Sequence, residues 1–183
     1  MDLQLTGKVA LVTGGSKGIG KAIARTLGNE GCRIAICSRS FDELKAAADE
    51  LSAETGAEIL PIAADLTIPA DAENFVDKAV GHFGRADILV NNAGSAPGGV
   101  IETLTEEDWA LSLQLKFMGY VRCTKAVLPH MQRQGGGRIV NLIGNDGIKH
   151  SYWEIAPGAA NAAGQNFTMS MAGRYGRDNI SFV

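Results

Sequence analysis

The sequence predicts one α/β domain, a parallel sheet with helices on both faces. Three observations point there. Six short apolar runs of strand length occur along the 183 residues, and segments of helical periodicity separate them. No linker, internal repeat or charge block interrupts the alternation. Hydrophobic residues make up 45% and charged residues 20%, an ordinary soluble composition with enough chain for one sizeable core.

The elements follow in order. "KVALVT" (Lys8–Thr13) is a short apolar run ending in glycines, hence a buried strand. Gly18 to Glu30 sets Ile19, Ile23 and Leu27 on one helical face. "RIAICS" (Arg33–Ser38) is the second strand. Ser40 and Glu43 have capping-box spacing, and their helix runs to about Glu54 before Gly56 stops it. "EILPIAA" is the third strand. Pro69 opens a helix reaching about Phe83, with Gly84 after it. "DILVNNAG" is a strand running into a turn. Thr105 and Asp108 cap a long helix to about Met131, and "GGGRIVNLI" is a turn and a strand. Pro157 is placed at the first position of the next helix, where its missing N–H costs least. That helix continues with the very small residues Gly158, Ala159, Ala160, Ala162, Ala163 and Gly164, a face suited to close packing. "NISFV" begins a sixth strand.

The formal charge of −3 makes nucleic acid or an anionic membrane an unlooked-for partner. No apolar run reaches the ~20 residues of a membrane span. The opening "MDLQLTGKVALVTGG" does not read as a signal peptide. Cys32, Cys37 and Cys123 show no CxxC spacing and are expected as reduced, mostly buried thiols of a cytoplasmic protein. His82, His130 and His150 stand too far apart for metal-ligand spacing and are expected at the surface or in loops.

"TGGSKGIGKAI" places Gly14, Gly18 and Gly20 between the first strand and the first helix. An anion can sit at such a helix N-terminus, where free N–H groups and the dipole favour it. Gly14 allows the tight turn, Gly18 lets backbone approach a pyrophosphate, and Gly20 lets the helix lie close on the sheet. The alternative is a glycine-rich turn without a ligand. The end of the second strand is where the adenosine ribose is met. A carboxylate there would select NAD. This chain has Ser38 and Arg39 instead, with Lys17 in the glycine turn. Two cations and a hydroxyl suit a 2′-phosphate, so NADP(H) is expected over NAD(H). The alternative is a solvated arginine at a strand end.

Thr13-Gly14-x-x-x-Gly18-x-Gly20, followed by "NNAG" (Asn91–Gly94), resembles the short-chain dehydrogenase/reductase family. Asp65 after the third strand, Leu128-Pro129 late in the long helix and "GRIVN" (Gly137–Asn141) support the resemblance, which covers the whole chain. It implies a Rossmann-like three-layer fold with sheet order 3-2-1-4-5-6. It implies a cofactor shell of Gly14, Ser16, Lys17, Gly18, Ile19, Gly20, Ser38, Arg39, Asp65, Leu66, Asn91, Ala93 and Gly94. Asp65 is expected to hold the adenine amino group, and Asn91–Gly94 to support cofactor and sheet. A homodimer or homotetramer through the long helices is also implied.

Members of this family usually move a hydride between nicotinamide and a carbonyl or alcohol, with Asn, Ser, Tyr and Lys handling the proton. The phenol of such a Tyr needs a neighbouring cation to act near neutral pH. Here all four positions differ. Gly144 stands where the Ser belongs, and Pro157, thirteen residues on, where the Tyr belongs. Asn161 takes the place of the Lys, and Lys116, seven residues after Trp109, that of the Asn. Asn and Lys have thus changed places. If the exchange is compensating, the Lys116 ammonium reaches toward the Asn161 amide. If not, Lys116 snorkels to solvent.

Two functions remain open. One is an NADP(H)-dependent oxidoreductase with a rearranged or vacant acid–base site. Its candidate groups are Lys116, Asn161 and Tyr152, with Lys149, His150 and Glu154 in the same polar loop. The other is a non-catalytic NADP(H)-binding or scaffold subunit. Residues 1–183 are expected to form a single dinucleotide-binding domain, C-terminally incomplete because the chain stops inside its sixth strand.

Overall fold

In the computed structural model, which describes residues 3–95 and 97–183, six strands form one sheet in the order β3-β2-β1-β4-β5-β6. The strands are β1 (Val9–Thr13), β2 (Arg33–Ser38), β3 (Ile59–Ala63), β4 (Ile88–Asn91), β5 (Gly137–Asn141) and β6 (Ile180–Phe182). All five pairings are parallel. The helices are α1 (Gly18–Asn29), α2 (Phe41–Thr55), α3 (Pro69–Phe83), α4 (Glu106–Leu111), α5 (Met118–Arg133) and α6 (Ile155–Tyr175).

Strand periodicity sorts the core into two layers. Val9 and Leu11 of β1 join Phe75, Val76, Cys123, Val127 and Met131 from α3 and α5 on one face. Ala10 and Val12 point the other way, to Ala24, Leu44, Ala48 and Leu51 of α1 and α2. Pro61 is tolerated because β3 is an edge strand and can spare a donor. Beneath the sheet, Asp87 accepts the Val9 N–H at 2.9 Å and pairs with Arg85 through both of its carboxylate oxygens.

Three local expectations need correction. The Ser40 side chain makes no cap bond to α2, despite its spacing from Glu43; Thr105 and Asp108 do form a complete capping box. α6 begins at Ile155, so Pro157 is its third residue rather than its first. The position is still harmless, since none of the first four N–H groups has an intrahelical partner. The long helix is also not uniform. A π segment, Ser112–Phe117, separates α4 from α5.

The cysteines are free and buried, as read. His82 is exposed and 2.7 Å from Glu58, and His150 is exposed. Among the described residues no His, Cys, Asp and Glu cluster could hold a metal, and no helix is long and apolar enough to cross a membrane.

Candidate functional site

The strand order turns around between β1 and β4, and a crevice opens there outside the carboxyl ends of the strands. It is a cleft of about 1080 Å³. Its floor is the β1–α1 turn with Gly14, Ser16, Lys17, Gly18 and Ile19; the β2 end adds Cys37, Ser38, Arg39 and Ser40. Ala64 and Leu66 form one wall, and Asn92, Ala93, Gly94 and Leu115 the other.

The turn is built by close approach. Gly14 and Gly18 have φ of 68° and 57°, where a side chain would be strained. The place a Gly18 Cβ would take is open, so backbone faces the cleft directly. Gly20 packs so tightly on the Gly14 carbonyl and the Asn92 amide that no Cβ fits. Its close contact is therefore with the turn itself.

Thr13, at the end of β1, and Asn92, within the segment expected to support cofactor and sheet, hold the floor to the wall. Thr13 Oγ1 accepts the N–H groups of Asn92 and Ala93, both at 2.9 Å, and donates to Val90 O. Asn92 Nδ2 donates to the carbonyls of Thr13 (2.8 Å) and Gly14 (3.2 Å). The glycine spacing drew attention to the residues beside Thr13, and an apolar strand hides its one polar end. Burial pushes the Cys37 thiol up to about 12, against a backbone N–H of Gly14 that pulls it down, so this cleft thiol is inert.

The expected shell divides. Lys17, Ser38 and Arg39 share the cleft edge. The exposed Glu43, on the first turn of α2, lines it too and was not anticipated. Asp65, Asn91 and Gly20 are not lining residues. Asn91 is fully buried, and its Nδ2 donates to Asn141 Oδ1 at 2.8 Å, a bond inside the sheet. Asp65 Oδ1 accepts the N–H and hydroxyl of Thr67. Burial raises the Asp65 pKa, but those bonds and nearby Arg39 outweigh it and leave the carboxyl below its ordinary value.

Lys116, Gly144 and Asn161, singled out in the sequence, lie beyond the β4 wall. Asn161 is 1% exposed; its Oδ1 accepts the Gly144 N–H at 2.9 Å, and its Nδ2 reaches both Asp146 oxygens at 2.9 Å. The compensating exchange would need a Lys116–Asn161 contact, and none is formed: the one Asn161 acceptor, Oδ1, takes the Gly144 N–H, and its Nδ2 donates to Asp146. Lys116 does not snorkel away either. It is half-buried, and burial lowers its pKa while Asp146 and Glu154 act in the opposite sense. Asp146 is the residue that sequence reasoning missed; only its place two residues after Gly144 could have marked it. Tyr152 is 80% exposed and stands out of this cluster, with Lys149 and His150 also exposed.

Residues 8–183 match the family model described as short chain dehydrogenase. The chain belongs to that family. The crystal structure of L-sorbose reductase from Gluconobacter frateurii, complexed with NADPH and L-sorbose, superposes with a TM-score of 0.95 at 34% identity, over 98% of this chain and 68% of that one. An NAD+-bound xylitol dehydrogenase gives 0.94 at 32% identity, covering 98% and 69%. An uncharacterized oxidoreductase of Staphylococcus epidermidis is 31% identical over 173 residues, 94% of this chain and 74% of the relative. A 3-oxoacyl-acyl-carrier-protein reductase of Synechocystis is 33% identical, covering 92% and 68%.

Proposed function

We propose that this short-chain dehydrogenase is an NADP(H)-dependent oxidoreductase that works with a non-standard acid–base site. The bound dinucleotide would exchange a hydride with a carbonyl or alcohol substrate. The cleft carries this reading: an open glycine turn at the N-terminus of α1, with Lys17, Ser38 and Arg39 on one edge. Gly14, Ser16, Gly18 and Ile19 would hold the pyrophosphate side, with Leu66, Ala93 and Gly94 on the walls. The N-terminus of the fifteen-residue α2 faces the same edge and adds its dipole for a 2′-phosphate. Asp65, turned to Thr67, and the sheet-bound Asn91 would support the site from behind. The solved relatives include one with NADPH and one with NAD+, so the preference rests on this chain's own cations.

The acid–base side is atypical. Gly144, Pro157 and Asn161 leave no Ser, Tyr or Lys at the positions the family uses. With the family's phenol and its supporting groups replaced, turnover of simple ketones should be slower than in members that keep them. A homo-oligomer through the long helices fits the exposed Leu111, Leu113 and Met169 on the π-interrupted helix and α6, and the three free thiols suit a cytoplasmic setting.

The test is to measure NADPH binding by calorimetry, then follow nicotinamide absorbance with a panel of carbonyl compounds that includes L-sorbose. Binding with slow turnover is the expected result. Binding with no turnover of any compound would favour a non-catalytic cofactor-binding subunit, and absence of binding would remove both readings.

A further inference from the structure

We propose that Lys116 is the proton donor of this site, with Asp146 as its positioning residue. The inference rests on the hydride-transfer reading above and supplies the acid that reading lacks.

Lys116 lies on the π segment, against the β4 wall. Its Cγ and Cδ are 3.4 and 3.5 Å from the place a Cβ on Gly94 would take, so its stem runs along a residue that lines the cleft. The side chain is half-buried, yet among the described residues its ammonium makes no hydrogen bond or ion pair. The charged groups facing it are Asp146, on the loop before α6, and Glu154, at the start of α6. A half-buried ammonium needs acceptors, and among the described residues those facing it are carboxylates at a distance.

The arrangement is held open. Asn161 engages both Asp146 oxygens and is itself fixed by the Gly144 N–H. The carboxylate therefore stays at Coulombic range instead of collapsing onto Lys116. A substrate oxygen can take the ammonium's free donors. Burial makes Lys116 a stronger acid than a surface lysine, while the two carboxylates favour its charged form. The neighbouring phenols are poorer choices. Tyr120 is buried and donates to Leu142 O at 2.9 Å, and Tyr152 points to solvent.

The step balances as follows. The carbonyl π bond breaks, its carbon taking the hydride that the reduced dinucleotide supplies. One Lys116 N–H bond breaks toward the oxygen, which becomes a hydroxyl. Nitrogen keeps the electron pair as a neutral amine, and a proton taken up from solvent restores the ammonium before the next turnover.

The test uses the full chain and has two readouts. Trinitrobenzenesulfonate labelling, located by mass spectrometry, should modify Lys116 faster than the exposed Lys78 and Lys125, and NADPH should shield it. In turnover, Lys116→Met should lower kcat by ~10²–10⁴-fold with NADPH affinity kept. Reduction by the wild type should decline as pH rises through the donor's pKa. Asp146→Asn should shift that decline to lower pH, because it removes a charge that favours the ammonium. A merely structural Asp146 would leave the profile in place. Labelling of Lys116 no faster than Lys78 and unaffected by bound NADPH would overturn the inference alone. So would a Lys116→Met protein turning over within about threefold of wild type. Failure of NADPH to bind, seen separately by calorimetry, would overturn the hydride-transfer reading and this inference together.

Discussion

Asn161 Nδ2 lies 2.9 Å from both carboxylate oxygens of Asp146, and Gly144 is caught between the two side chains. A Cβ on Gly144 would fall 2.6 Å from Asn161 Nδ2 and closer still to Asp146 Oδ1. Gly144→Ser should therefore destabilise the fold by ~1–3 kcal/mol through overpacking. Asp146→Gly in the same chain should recover part of that loss. Urea midpoints of the two single variants, the double variant and the wild type would show the non-additivity. Additive costs would mean the residues do not interlock.

Arg39→Asp should reverse the cofactor preference. Charge-assisted hydrogen bonds to a 2′-phosphate supply ~1.5–3 kcal/mol, roughly tenfold or more in affinity. A carboxylate at the end of β2 would instead meet a ribose hydroxyl and repel a phosphate. Calorimetric Kd values for NADPH and NADH, measured on both proteins, check this.

Thr13→Val keeps the shape of the strand end but removes the acceptor for two backbone N–H groups, those of Asn92 and Ala93. Each orphaned donor costs ~1–3 kcal/mol. The expected result is a clearly lower denaturant midpoint and weaker NADPH binding, since the wall loses its tie to the glycine turn. Thr13→Ser, which retains the oxygen, should behave much more like wild type.

Asp87 makes acid sensitivity predictable. Burial raises its pKa, but Arg85, the Val9 N–H and Lys8 more than offset that and leave it below the ordinary carboxylate value. The folded protein thus favours the ionised form. Its contribution is fully present above the unfolded pKa of about 3.9 and is lost as pH falls through the lower folded value. Asp87→Asn should lower stability at pH 7 and flatten its dependence on pH in that acid range. Unfolding curves for the two proteins at pH 7, 5 and 3 would test the difference.

The sheet was legible because its central strands β1, β2 and β4 are buried on both sides and stand out as apolar runs. Gly56 and Gly84 marked helix ends for the same local reason. That Lys17, Ser38 and Arg39 share one edge of the cleft was legible too, since they lie next to strand ends that the topology brings together. Asp146 was not. Its role depends on Asn161, fifteen residues away, and on a loop whose path no periodicity specifies. Thr13 and Asn92 act across β1 and β4, and such a contact exists only after the sheet has closed. The Ser40 spacing misled: Ser40 and Thr105 are both exposed helix starts, yet only the Thr105 and Asp108 side chains close a capping box.

The π segment has a consequence for insertions and deletions. A π turn takes about one residue more than an α turn, so Ser112–Phe117 behaves as a one-codon surplus in an otherwise regular helix. Arg122 braces it: one guanidinium nitrogen lies 2.9 Å from the carbonyl oxygens of both Gln114 and Leu66. The segment is thereby tied to the cleft wall. Loss of a single codon would let the helix run through as a plain α-helix. Everything upstream would then turn by about 100° relative to α5, Gln114 would leave Arg122, and the helix face now turned to Gly94 would belong to a different residue. The reading frame would survive such a deletion, but the chemistry at residue 116 would not.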